Sequence, residues 1–185
     1  GKDELFNIST KIDNDFYIVS NDSIYQFFPN NFSLKNLFSF NKQESDNVAK
    51  IIPLDKYFWI FYYGGRVDML NLITRDRKLL IQPSASSYVN PSVCVDRNLY
   101  IGTMQGIYKY TNDGKKTRMI TKNNGLSSSK IYYLDKKGST LYIGTDNSFI
   151  LYNETKMQPI LQKGYQDIIT HSKFSNYKYI DKISN

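Results

Sequence analysis

The sequence predicts an all-β protein made of four successive four-stranded antiparallel units. Three observations carry this reading. Aromatic residues make up 15% of the 185 residues, with sixteen Tyr and eleven Phe against one Trp, and aromatic rings suit a pleated, half-buried sheet surface. No stretch keeps a 3.6-residue apolar period over ten residues, which removes an α-solenoid. The segment Leu99–Tyr110, LYIGTMQGIYKY, is then nearly rewritten at Leu141–Tyr152 as LYIGTDNSFILY.

The duplication belongs to a longer period. The aromatics that follow each short turn are Tyr17, Trp59, Tyr100 and Tyr142, at spacings of 42, 41 and 42 residues. An aliphatic-Asp pair precedes each: Ile12-Asp13, Leu54-Asp55, Val95-Asp96 and Leu134-Asp135. A period of this length signals a repeat architecture in which each unit buries a face against its neighbour.

Each unit divides into four short strands. The first ends at the Asp, as in Ile131 to Leu134, and a polar turn such as DRN or DKKGS follows. Such residues favour turns. The second strand carries the anchor aromatic in Leu-Tyr-Ile-Gly. A turn rich in Gly, Asn or Asp leads to a near-alternating third strand, IYKY or FILY, and the fourth is charged: RKLLIQP, KKTRMIT, KMQPILQ. Charge on that outermost strand is expected, because it faces water and must not pair with other sheet edges. Repeated units of this kind are blades of a β-propeller. The expected blades are 5–45, 46–86, 87–125 and 126–170, with the start of a fifth at 174–185, where FSNYKYIDKISN resembles another inner strand.

Residues 123–153, NNGLSSSKIYYLDKKGSTLYIGTDNSFILYN, resemble the two-component regulator propeller repeat, with its Gly-Leu-Ser-Ser opening, Asp turn and Leu-Trp-Ile-Gly-Thr strand. Leu99–Tyr110 matches the second half. The first two units depart: Ser20 and Tyr62 stand for the Thr, Val19 and Phe61 for the Gly, and only Trp59 keeps the usual Trp. The resemblance implies the periplasmic sensor region of a Bacteroides-type hybrid histidine kinase, commonly one that answers to glycan breakdown products. It also implies a larger, usually seven-bladed ring. Four blades and part of a fifth would therefore be an arc, covered by further blades or a second copy. On such an arc the first unit is expected to expose Tyr17, Ile24 and Phe27, and the last Tyr142, Ile150 and Tyr152.

The chemistry of enzymes is hard to find. His171 is the only histidine, which excludes a His-rich metal site. Cys94 is alone, so no intrachain disulfide exists. Tyr62-Tyr63-Gly64-Gly65 lacks the Lys-Ser/Thr and following helix of a phosphate loop. The recurring Asp13, Asp55, Asp96 and Asp135 read either as a carboxylate ring or as turn residues capping backbone amides, the latter favoured by their position. No cofactor, metal or catalytic residue is expected.

Net charge is +7, and residues 101–140 hold eight Lys or Arg against two Asp. This surplus is either a face for a sulfated or uronic polyanion or a set of solvated outer-strand lysines. It lacks the Arg clustering of nucleic-acid readers, so no nucleic-acid partner is expected. No apolar run approaches the roughly 18–20 residues of a bilayer span, and membrane contact is expected only through parts of the protein outside this sequence. In a propeller, the loops between the second and third strands share an end with those leading into the next blade. That end would carry Tyr62, Tyr63, Arg66, Tyr88, Asn90, Gln105 and Asn147. Rings with amides and a guanidinium suit an oligosaccharide; the alternative is that these are ordinary turn residues. A blade scaffold with no ligand, or less plausibly a propeller lyase or glycosidase, are the competing functions.

Overall fold

A computed structural model of the chain describes residues 8–12, 15–20, 23–40, 48–83 and 89–165. Their structure is four four-stranded antiparallel sheets, each built by consecutive strands in sequence order. The first sheet holds β1 (Ile8–Ile12), β2 (Asp15–Val19), β3 (Ser23–Phe28) and β4 (Ser33–Ser39). The second holds β5 (Val48–Leu54), β6 (Tyr57–Tyr62), β7 (Val67–Asn71) and β8 (Arg77–Ile81). The third comprises β9 (Ser92–Val95), β10 (Asn98–Thr103), β11 (Gly106–Thr111) and β12 (Lys116–Ile120), and the fourth β13 (Ile131–Lys137), β14 (Thr140–Thr145), β15 (Ser148–Asn153) and β16 (Gln158–Gly164). These are propeller blades. The strand expected at 174–185 and His171 lie outside the described residues.

The recurrent sequence positions have distinct physical duties. Thr103 Oγ1 accepts from the Gln105 amide at 3.0 Å and donates to the Gly106 carbonyl at 2.9 Å. Thr145 repeats this, accepting from the Ser148 amide and donating to its carbonyl, both at 3.0 Å. The Thr of Ile-Gly-Thr therefore braces the turn between the second and third strands. The preceding Gly serves close approach: a Cβ on Gly102 would stand 2.5 Å from Ile131 Cγ2 and 2.8 Å from Pro91 Cγ. The Gly-Leu-Ser-Ser opening follows a single 3₁₀ turn at Lys122–Asn124, where Thr121 and Asn124 cap each other and Gly125 ends the turn with φ 92°.

Asp135 forms the expected amide cap, its Oδ1 accepting from the Lys136 amide at 2.7 Å; Asp13 lies outside the described residues, and the other two Asp turns take a different form. Asp55 and Asp96 themselves hold left-handed backbone, with φ of 60° and 50°, and Arg97 follows with φ 59°. Asp is among the few residues that tolerate this region. Asp135 instead lies inside β13, because the three extra residues of the last unit lengthen its first hairpin and pair Lys137 with Thr140.

The chain forms two compact units. One comprises the residues up to Asn90 with Asp96–Leu99 and Tyr110–Thr117; the other comprises Pro91–Val95, Tyr100–Lys109 and the residues from Arg118. In the first unit, Val19, Ile24, Ile51, Phe58, Ile60, Tyr62 and Leu70 form a core with Tyr17 and Leu72 packed against it. The anchor Tyr17 meets Phe58 of the next blade edge-on at 4.9 Å, and the anchor Trp59 meets Tyr110 at 5.5 Å. In the second unit, Tyr100 joins Ile107, Ile131, Leu141, Ile143, Ile150 and Tyr152 in one core. Tyr17 and Trp59 thus each meet a ring of the following blade, and Tyr100 shares a core with the strands of the fourth.

That direction corrects the expected exposed faces. Ile24, Ile150 and Tyr152 are fully buried. The third strand of a blade turns these side chains back to the preceding blade or into its own unit's core. The fourth strands carry mostly exposed residues, as their charge predicts: β8 and β16 bury none of theirs completely.

Candidate functional site

The β6–β7 turn departs most from the repeat, and its construction shows why. Where the third and fourth units use a Thr brace, this turn is closed by backbone bonds, with Tyr62 N donating to Arg66 O at 3.0 Å and Gly65 N to Tyr62 O at 3.2 Å. Gly64 and Gly65 supply the left-handed backbone, with φ of 88° and 81°. Arg66 then turns inward. Its Nε and Nη2 donate to Asp68 Oδ1 and Oδ2 at 2.9 and 2.6 Å. Asp68 is 0% exposed and also faces Arg77 Nε at 3.6 Å. The hydrogen bond to Asp68 holds the Arg66 guanidinium above its ordinary pKa. Its face lies 4.8 Å above the Tyr62 ring, a cation–π contact that fixes it further.

The sequence-predicted residues therefore separate by role. Tyr62 is buried in the core of the first unit, and Arg66 is committed to Asp68. Asn90 is buried and donates from Nδ2 to the Gly65 carbonyl at 2.6 Å, tying the loop into the next blade to this turn. The expectation that Tyr62, Tyr63 and Arg66 stand exposed together is met at Tyr63, 55% exposed, in part at Arg66, and not at Tyr62. Tyr88 lies outside the described residues. In the second unit, Gln105 is exposed and its Oε1 accepts from Tyr108 OH at 2.9 Å. Asn147 is exposed as well, and its Oδ1 accepts from Ser127 Oγ at 3.1 Å and lies 3.0 Å from Thr145 Oγ1. Ser127 and Ser148 also share a very short hydrogen bond. Nearby, Asp146 pairs with Lys130 Nζ at 3.7 Å; a hydrogen bond with Ser128 holds its carboxyl below the usual value. Polar groups thus stand on the β10–β11 and β14–β15 turns, the first held within its own turn and the second also by the segment that leads into β13.

A second cluster, at the opposite end of these strands, was not foreseen. Glu154 begins the β15–β16 turn, and its amide donates to the Ser139 carbonyl at 2.9 Å. Its carboxylate accepts from Tyr100 OH at 2.8 Å on both oxygens and from Lys109 Nζ at 2.8 Å. Arg118 Nη1 donates to the Glu154 carbonyl at 3.0 Å and stands 3.6 Å from Oε1, while Lys136 Nζ stands 3.6 Å from Oε2. The side chains of Glu154 and Lys136 are 9% and 7% exposed. Burial pushes the Glu154 carboxyl up, but the bonds from Lys109 and Tyr100 and the surrounding charges outweigh it, leaving the carboxyl below its ordinary value. The members come from five separate strands or turns, so no local motif announces them. The signal available was the repeat itself, with Glu154 at the position of Leu72 and Asn112 in the second and third units.

Among the described residues no group of three or more His, Cys, Asp or Glu could hold a metal ion, and no helix is long and apolar enough to cross a membrane. No family model and no curated protein sequence matches the chain. Solved structures do. The computationally designed Ika8 protein matches with a TM-score of 0.59 at 12% identity over 85% of this chain and 48% of its own. The extracellular domain assigned to the hybrid two-component system BT4673 of B. thetaiotaomicron matches with a TM-score of 0.57 at 17% identity, over 87% of this chain and 21% of that one. PorZ of the type-IX secretion system of Porphyromonas gingivalis has a TM-score of 0.57 at 12% identity, over 88% and 23%. The chain shares their fold. It spans between about a fifth and a half of the length of these structures.

Proposed function

We propose that this chain is part of an extracytoplasmic, periplasmic ligand-binding propeller of a hybrid two-component sensor, and that it binds without catalysis. The observation that carries this is the sheet fold shared with the extracellular domains of the B. thetaiotaomicron systems BT4673 and BT3049, in a chain whose own repeats read Leu-Tyr-Ile-Gly-Thr. The ligand class is an oligosaccharide. Supporting this, the exposed Tyr63 ring offers a stacking surface and the Gln105 and Asn147 amides offer donors and acceptors to hydroxyls. Further blades of the parent protein, or a second copy, are its expected neighbours.

Titrating the full chain with a panel of oligosaccharides, with products followed by mass spectrometry, tests this. Binding without turnover, weakened by Tyr63→Ala, is expected; turnover, or no binding to any member, would contradict it. One observation favours a second reading, a scaffold that binds no sugar. Tyr62, Arg66 and Asn90, three of the residues the sequence offered for binding, are committed to internal contacts. In that case Tyr63→Ala leaves every titration unchanged.

A further inference from the structure

The basic surplus of residues 101–140 is not all spread over solvated strands. Three of its eight cations, Lys109, Arg118 and Lys136, converge on the single carboxylate of Glu154. A clasp between strands does not need this. The equivalent position in the second blade is Leu72, which packs against an apolar core, and in the third it is Asn112, which donates one hydrogen bond to Asp55 Oδ2 at 3.2 Å. Around Glu154, by contrast, three positive charges stand at one carboxylate among the described residues. Like charges held together in a partly dry site repel more strongly than in water, so a further anion beside them is favoured.

The geometry leaves a place for it. Arg118 uses Nη1 for both its contacts with Glu154. Its Nε and Nη2 make no hydrogen bond among the described residues, and the side chain is 39% exposed. Those two nitrogens form the fork that receives carboxylates and sulfates in bidentate fashion. Lys109, less exposed, stands on the neighbouring strand with its ammonium at the same carboxylate. Tyr152 adds a sign of incomplete satisfaction in the same unit. Its hydroxyl is buried with no hydrogen-bond partner among the described residues.

We propose that the Arg118–Lys109 side of the Glu154 cluster binds a second oxyanion from solvent, and that its ligand is the carboxylate or sulfate of an acidic sugar residue. The anion site stands on the cluster alone; its assignment to a sugar rests on the sensor reading above.

The test uses the full chain and three kinds of probe. Sodium sulfate is compared with sodium chloride at matched ionic strength by thermal melting. Trigalacturonate and a sulfated disaccharide are then compared with the neutral maltotriose by calorimetric titration. Sulfate is expected to raise the melting temperature where chloride does not. One of the acidic probes is expected to bind about tenfold more tightly than the neutral one, as the loss of a charge-assisted hydrogen bond implies, and which one does so separates carboxylate from sulfate. Arg118→Gln should remove both effects, and Lys109→Gln should reduce both. The proposal is overturned if sulfate acts no differently from chloride, or if the acidic preference survives in Arg118→Gln. Binding of maltotriose and the acidic probes with equal affinity, without a sulfate effect, removes the anion site and leaves the sensor reading standing. A sulfate effect abolished by Arg118→Gln, with no oligosaccharide bound, keeps the anion site but overturns both its assignment to a sugar and the sensor reading.

Discussion

Leu72 and Glu154 occupy the same position in their blades. Each begins the turn after a third strand, and each donates its amide to the first hairpin of its own blade, Leu72 to the Lys56 carbonyl and Glu154 to that of Ser139, both at 2.9 Å. Yet the side chains close two different seams. Leu72 lies against an apolar core in which Tyr17 meets Phe58 edge-on. Glu154 lies against Tyr100, Lys109, Arg118 and Lys136. A repeat backbone therefore constrains where a side chain points but not which chemistry it brings. The first seam gains from area removed from water, which no titration reverses. The second depends on a balance between desolvation and pairing, and burying charges is favourable only while every partner is present.

The largest effect should come from the apolar seam. Phe58→Ala removes a fully buried ring and is expected to cost about 4 kcal/mol in chemical denaturation; a cost under about 1 kcal/mol would show that the seam is looser than its packing implies.

Glu154→Gln comes next. It leaves three cations around a neutral amide and is expected to cost about 3 kcal/mol, the usual penalty for removing one partner of a buried ion pair. The loss should depend on pH with a definite sign. The folded Glu154 carboxyl lies below its ordinary value of 4.5, so its contribution is complete above that pH and disappears as pH falls through the lower, folded value. The gap in melting temperature between wild type and Glu154→Gln should accordingly be constant at neutral pH and close in acid. A gap that persists at pH 2 would mean that the amide distorts the turn rather than removing a charge.

The reciprocal change, Leu72→Glu, sharpens the contrast. It places a carboxylate against the first core without the three cations and should cost about 2 kcal/mol at pH 7, less in acid, where the group is neutral. A neutral or stabilising result would indicate that cations reach this position from elsewhere in the first unit. Smallest of all, Tyr63→Ala should change stability by less than about 0.5 kcal/mol, because the ring is exposed; its effect belongs to ligand titration.

Much of the fold could be read before the structure because a period is non-local evidence. Tyr17, Trp59, Tyr100 and Tyr142 each carry a weak strand signal, but their common spacing fixes four sheets. The Thr brace and the Gly at 102 follow from chemistry visible in Ile-Gly-Thr. Side-chain direction was harder. Alternation says that Ile150 and Tyr152 share a face, not that the face turns back to the preceding blade. Tyr62 looks like a turn residue by register, yet its ring is drawn into the core while Gly64 and Gly65 make the turn. Arg66 reads as a ligand donor until Asp68, two residues on and so on the same face of the strand region, is seen to be buried beneath it. The Glu154 cluster was illegible in local sequence because its partners are 18 to 54 residues away. Only comparison of equivalent blade positions, Leu, Asn and Glu, marks it.

Hydrogen exchange resolved by segment, measured at pH 7 on wild type and Glu154→Gln, tests the two-seam claim most directly. Amides of residues 100–109 and 141–154 are expected to exchange faster in the variant, while those of residues 57–62 and 67–71 keep their protection. Equal loss in both sets, or no loss in either, would contradict the claim that these equivalent positions are held by separate and chemically different seams.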